Sequence, residues 1–187
     1  SSGDTGAWLP VKFETVTLAL SLQPFAGIAF LWFMAVVRDR LSHLEDQFFS
    51  TLFFGAGILY IAMYFCAGAV FGGMVSLVHY YPDSNVTQDL YLSTRSLVYN
   101  FTHGYMIRVA GMFMIVLATI WRRTRIMPGW LVALTYLLAL GLLFSIGYSP
   151  WVVMIFPTWV GLVSAYILLL NYRPGDDRGG PDGMTLE

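Results

Sequence analysis

Residues 126–172 read IMPGWLVALTYLLALGLLFSIGYSPWVVMIFPTWVGLVSAYILLLNY, 47 residues without one Asp, Glu, Lys or Arg. A water-soluble domain of 187 residues has no interior large enough to hide such a run. A bilayer does, because a helix needs about 20 apolar residues to cross a hydrocarbon core of about 30 Å. The run is long enough for two spans. It divides at Gly147-Tyr148-Ser149-Pro150, giving expected helices at 128–146 and 151–172, with Pro128 near the start of the first. Two more uncharged runs lie upstream, 36 residues between Asp46 and Asp83 and 23 between Glu14 and Arg38. They give expected spans at 47–70 and 15–37. A fifth span is expected at 101–121, the membrane part of a longer helix that starts after the Asp83-Ser84-Asn85 turn.

The fold class is therefore all-α, a polytopic transmembrane bundle of five helices. Residues 1–14 form an outer N-terminal segment, 71–100 an outer loop and 173–187 a Gly-, Asp- and Pro-rich disordered tail. Residues beyond Val70, through His79 and Tyr80, are read as an extension of the second span or a re-entry. The first turns of the third helix look amphipathic, with Leu90, Leu97, Val98 and Phe101 on one face and Asp89, Ser93, Ser96 and Asn100 on another.

Lys and Arg orient the bundle. Arg38, Arg40, Arg122, Arg123, Arg125, Arg173 and Arg178 fall on one side, and only Lys12 and Arg95 on the other. The positive-inside bias then places the N-terminus outside and the C-terminus inside. The chain starts at Ser1 and residues 1–14 lack a basic signal-peptide region. Two alternatives follow for an outside N-terminus, an initiator Met just before Ser1 or an upstream transmembrane helix.

Composition excludes several functions. The chain is 57% hydrophobic and 11% charged, against about 25% charged in a soluble domain. Its net charge of −1 offers no basic surplus for nucleic acid. Cys66 stands alone, so there is no intrachain disulfide or cysteine metal cluster. Six Trp and eleven Tyr suit two membrane interfaces. No expected span carries Asp or Glu, which speaks against a carboxylate proton relay. No H-E-x-x-H, G-x-S-x-G or P-loop pattern occurs, and no enzymatic activity is expected.

Small residues mark expected helix contacts. Ala62, Cys66, Ala69 and Gly73 share a helical face, Gly68 and Gly72 form a G-x-x-x-G pair, and Gly104, Gly111, Gly161 and Ala165 follow on later helices. The Gly68/Gly72 face is one on which the chain would pair with itself.

Arg108 interrupts the apolar pattern. It lies 13 residues before Trp121, roughly 20 Å along a helix, and so about 10 Å below the outer surface. On an α-helical wheel Asn100, His103, Gly104, Arg108 and Gly111 fall in one arc. With Gln23 they would line an outward pocket for a small anionic or lipid-like solute. Alternatively, Arg108 snorkels outward or pairs with a carbonyl or a loop acid. Gln23-Pro24 and Pro157-Thr158 break their helices, either as ordinary kinks or as site-forming interruptions. His79 and His103, both toward the outer side, are the only candidate pair for a b-type haem or a metal. No cofactor is the leading expectation, with haem b the alternative. His43 and the Arg38-Asp39-Arg40-Leu41 run belong to a solvated inner loop. Asn85-Val86-Thr87 and Asn100-Phe101-Thr102 match the glycosylation pattern.

The segment Gln23-Pro24-Phe25-Ala26-Gly27-Ile28-Ala29-Phe30-Leu31-Trp32-Phe33, followed by Arg38-Asp39-Arg40-Leu41, Glu45-Asp46-Gln47-Phe48-Phe49 and Gly55-Ala56-Gly57, resembles a group of uncharacterised actinobacterial integral membrane proteins. The likeness covers about residues 20–70. It implies a bacterial cytoplasmic membrane, which would make the glycosylation matches irrelevant, and it implies no activity. The leading reading is a structural or accessory membrane component. A solute-binding or transport protein and a haem-bearing redox subunit are the alternatives. The expected partners are the bilayer and other membrane subunits.

Overall fold

The computed structural model describes residues 12–41, 47–80, 85–144 and 151–171. The helices are α1 (Phe13–Leu41), α2 (Gln47–Tyr80), α3 (Asn85–Tyr99), a π-helical segment (Asn100–Met106), α4 (Ile107–Thr124), α5 (Gly129–Phe144) and α6 (Val152–Asn171). α3, the π segment and α4 run on as one rod, so five helical rods make up the described bundle. Four are long and apolar enough to cross a membrane: 13–39, 47–80, 89–124 and 152–169. α5, with 16 residues, is shorter than an ordinary span. The chain is a multi-pass membrane protein of the helical-bundle class. The Gly147–Pro150 divide, residues 1–11 of the N-terminal segment, His43 and the tail lie outside the described residues.

Of the two options for the end of the second span, extension or re-entry, the helix takes the extension. α2 continues to Tyr80, and its 34 residues make a rod of about 51 Å that outreaches a hydrocarbon core of about 30 Å. The region expected as an outer loop is helical over 71–80 and again from Asn85. The reason is a small second core: Met74, Val75 and Tyr91 are buried together, with Phe13, Val16, Phe71 and Val78 packed around them. This cluster holds the end of α2 against α3 and the start of α1. It also corrects the expected face of α3. Tyr91 is 4% exposed, whereas Leu90 and Leu97 are 38% and 47% exposed.

α4 is the axis of the main core. Phe113, Met114, Leu117, Ala118 and Trp121 are buried on it. Phe113 alone is in ring contact with Phe30 of α1, Phe53 of α2 and Phe156 and Trp159 of α6. α5 packs closely on α4, and Gly111 is the reason: a methyl there would press on the Ala139 carbonyl and Leu143. Buried polar groups pair across helices. Trp159 Nε1 donates to Thr135 Oγ1 at 3.0 Å, and Thr135 Oγ1 in turn donates to the Leu131 carbonyl at 2.8 Å. Thr119 and Tyr136 hydroxyls meet at 2.7 Å.

α4 ends on Arg125, which takes the left-handed conformation at φ 54° and donates its N–H to the Trp121 carbonyl at 2.9 Å. Arg122 and Arg123 in the last turn complement the helix dipole. Pro128 then opens α5, its carbonyl accepting the Leu131 N–H at 3.0 Å. The basic end of the bundle is built coherently. Arg38 of α1 lies over the Phe54 ring and Arg123 of α4 over the Phe49 ring, both near the start of α2.

Small residues fall into two groups. Gly27 faces Phe65, Gly57 faces Met34, and Gly68 faces the Gln23 amide, so these glycines admit side chains between α1 and α2. Gly72 lies on the same face, next to Leu20. The Gly68/Gly72 face thus lies against α1 of the same chain. Ala62, Cys66, Ala69 and Gly73 face outward, as do Gly161 and Ala165 on α6.

Candidate functional site

The polar stripe that sequence places on one α-helical arc coincides with the π-helical segment. There the hydrogen bonds reach five residues back, the Ile107 N–H meeting the Thr102 carbonyl. Side-chain donors compete with the backbone for acceptors along this stretch. Thr102 Oγ1 donates to the Val98 carbonyl at 2.8 Å and approaches the Tyr99 carbonyl at 3.2 Å. At the other end the Arg108 Nη1 group donates to the Gly104 carbonyl. These carbonyls are the acceptors that an α-helix would reserve for N–H groups four residues on, and threonine back-bonding of this kind loosens and bends helices. Gly104 adds a weak helix former.

The π turn divides the expected arc. In an α-helix, residues 100 and 108 stand about 80° apart. One extra residue in the ladder unwinds the rod by about 100°, which brings Asn100, Gly104 and Arg108 to within roughly 30° of one meridian. The same unwinding turns His103 and Gly111 away from that line. Burial agrees: Asn100 and Arg108 are exposed, His103 is half-buried and Gly111 is buried.

Arg108 therefore faces outward and not into a protein cavity. Its bond to Gly104 points the guanidinium one turn toward the start of the rod, the direction in which helical side chains lean. Of the two sequence alternatives, the Gly104 bond matches the outward Arg108 tied to a carbonyl. Gln23 belongs to a different place. Its Nε2 donates to the Tyr64 carbonyl of α2 at 2.6 Å, seated in the notch left by Gly68. Pro24 lies beside it within a continuous helix, so it acts as a local break tied down by Gln23.

The histidines are also separated. His79 is exposed and stacks on Phe13 at 3.9 Å between ring centroids. His103 stacks on Tyr99 at 4.2 Å, and its Nδ1 meets Thr102 Oγ1 at 3.0 Å. Since Tyr91 packs at the level of Met74 and Val75, the helix rise puts the two imidazoles roughly 20–25 Å apart along the bundle. That spacing does not fit two ligands of one iron. Among the described residues no group of three His, Cys, Asp or Glu side chains is placed to hold a metal. His103 Nε2 is buried with no hydrogen-bond partner among the described residues.

Three open concave features remain, one of them a hollow of about 500 Å³ beside Trp121, Arg122, Arg125 and Tyr136 at the basic end of α4 and α5. A cavity of about 360 Å³ opens between α1, α2 and α6, its lining including Phe30, Phe33, Tyr60, Tyr64, Phe156 and Ser164. Sequence reasoning missed it. The signal present was the pairing of aromatics one turn apart on three helices (Phe30 and Phe33, Tyr60 and Tyr64, Phe156 and Trp159), which reads equally as core. A shallower depression of about 340 Å³ lies beside Asn100, lined also by Leu92, Arg95, Ser96 and Tyr99.

No protein-family profile, curated protein or solved structure matches this chain.

Proposed function

We propose that this protein is a non-enzymatic structural or accessory component of a bacterial cytoplasmic membrane, working beside other membrane subunits. The observation that carries this reading is the uneven burial of its rods. The most apolar window of the α3–α4 rod is 61% buried, against 28% for α1 and 22% each for α2 and α6. Three rods thus turn most of their apolar surface outward around one packed axis. The outward small-residue stripe Ala62–Cys66–Ala69–Gly73 supports a helix partner on α2, because small side chains let helices approach closely in lipid. The polar pairs between helices, Gln23 to Tyr64 and Trp159 to Thr135, serve cohesion. The bacterial membrane rests on the resemblance of residues 20–70.

Extraction of the membrane directly into lipid nanodiscs, followed by mass measurement, tests this. The expected result is a fixed-stoichiometry assembly with at least one other membrane protein, weakened by Ala69→Leu. A lone monomer in every preparation would contradict the proposal.

A second reading, a binding protein for a lipid-like solute, is favoured by the α1–α2–α6 cavity. Its volume of about 360 Å³ and its mostly apolar, aromatic lining fall in the range of ligand pockets, about 300–1,000 Å³. It moves the solute site away from Arg108. Solvent extraction of the purified protein would then yield one apolar compound in stoichiometric amount, lost on Gly27→Phe; a bilayer-average lipid mixture would count against it. The haem reading draws no support from the spacing of His79 and His103, and a Soret band in the purified protein would be needed to revive it.

A further inference from the structure

Arg108 poses a physical problem that the bundle itself does not solve. A guanidinium carries five N–H donors and keeps its charge at any ordinary pH. Here one nitrogen is directed to the Gly104 carbonyl, and the side chain is exposed on the outer face of the bundle. Arg122, exposed near the far end of α4, is 14 residues away, about 21 Å along the rod. With Arg122 at one boundary of a core of about 30 Å, the Arg108 backbone lies about 9 Å inside the other boundary. The lean of its side chain by one turn then lifts the guanidinium to within about 4 Å of that boundary. An Arg facing hydrocarbon there is costly unless it finds anionic acceptors, and at this depth the nearest ones in a bilayer are lipid phosphates.

The surroundings are shaped for such an acceptor. Open space lies where a side chain on Gly104 would be, so a notch sits directly beside the guanidinium. The π unwinding brings the exposed Asn100 onto the same meridian, two turns above Arg108, and its amide supplies two further donors. Above Asn100 is the depression of about 340 Å³, lined by Arg95, Ser96 and Tyr99. Tyr105, 59% exposed, flanks the notch as an interfacial aromatic.

We infer that Asn100, Gly104 and Arg108 form a binding site for the phosphodiester headgroup of an anionic membrane phospholipid. Arg108 and Asn100 hold the phosphate over the Gly104 notch, the headgroup substituent enters the depression beside Arg95, and the acyl chains run down α4 past Met112. The site needs the bilayer and not a protein partner, so it stands or falls separately from the accessory role. The π segment has a defined part in it. It is the turn that stacks an amide donor above a cation on the lipid-facing side.

The test is native mass spectrometry of the full chain in mild detergent, titrated with phosphatidylglycerol and, in parallel, phosphatidylcholine. One phosphatidylglycerol should bind in preference to phosphatidylcholine. Arg108→Gln should weaken it about ten-fold, the loss of one charge-assisted contact, and Asn100→Ala less. Arg108→Lys should keep part of the affinity. Arg122→Gln, an equal charge loss at the far end, should change nothing at this site. Thermal midpoints measured on the same samples show whether each variant is folded. Equal phosphatidylglycerol binding by folded Arg108→Gln would overturn the site. So would equal loss in Arg122→Gln, which would mean unspecific charge attraction. A third arm adds inorganic phosphate alone. Displacement of the lipid by millimolar phosphate, with phosphate itself bound, would show a soluble-anion site and overturn the lipid assignment.

Discussion

The two ends of the α3–α4 rod are made of one continuous helix and behave as different materials. Around α4, aromatic rings from α1, α2 and α6 converge on Phe113 and Trp121, and the buried hydroxyls and indole N–H are paired. Around α3 the buried residues form a small cluster on Tyr91, the π segment adds Met106 to the main core, and much of the surface is polar and exposed. Threonines back-bond to carbonyls in both halves, Thr119 and Thr124 in α4 as well as Thr102, yet the ladder slips to π only at the thinly packed junction. The same side-chain competition leaves the α ladder intact where packing is dense, so packing decides whether the backbone yields.

Truncation should separate the two halves sharply. Phe113→Ala removes a ring that touches four others and should cost about 3–5 kcal/mol, the range for buried aromatic truncation. Reversible unfolding in mixed micelles measures it, and a cost below about 1 kcal/mol would dissolve the contrast. Thr135→Val keeps the volume but strands the Trp159 N–H in a fully buried site. A loss of about 1–3 kcal/mol is expected in the same assay.

A subtler change tests the α1–α2 seam. Gly68→Ala should cost about 1 kcal/mol by displacing the Gln23 amide from the Tyr64 carbonyl. Because the clash is with Gln23 itself, the double variant Gln23→Ala, Gly68→Ala should be no less stable than Gln23→Ala alone. A fully additive cycle would mean that the notch is not where the two helices meet. At the thin end, Leu97→Ala, 47% exposed, should shift stability by less than about 0.5 kcal/mol. A larger loss would mean that α3 is covered by something beyond this chain.

Much of this architecture was legible in the residues. Uncharged runs located the rods because bilayer thickness imposes a length that composition reveals directly. The joining of α3 to α4 was readable from the lack of a strong breaker between Asn85 and Trp121. The reach of α2 to Tyr80 was one of two options, extension or re-entry, because what decides it is a distant partner, Tyr91, that covers its last turns. The arc of Asn100, His103, Gly104, Arg108 and Gly111 failed for a definite reason. A helical wheel assumes one angle per residue, and the slip between Asn100 and Met106 changes that angle in the middle of the site. Gln23 was noticed as polar but placed with Arg108, because sequence spacing carries no information about which neighbouring helix a side chain meets. The outward face of Ala62, Cys66, Ala69 and Gly73 shows the same limit: small residues mark a close approach without naming the partner.

The account rests on the outward apolar faces lying in lipid, and Cys66 reports on that directly. It is the only cysteine in the chain, it is exposed, and it sits near the middle of α2. Vesicles containing the full chain would be treated with a water-soluble, membrane-impermeant maleimide and the modified mass counted. The expected result is no labelling in intact vesicles and complete labelling after unfolding in strong detergent, because a thiol in hydrocarbon meets neither reagent nor the water needed to ionise it. Rapid labelling in intact vesicles, at the rate of a free thiol, would place this face of α2 in water and contradict the membrane-spanning bundle.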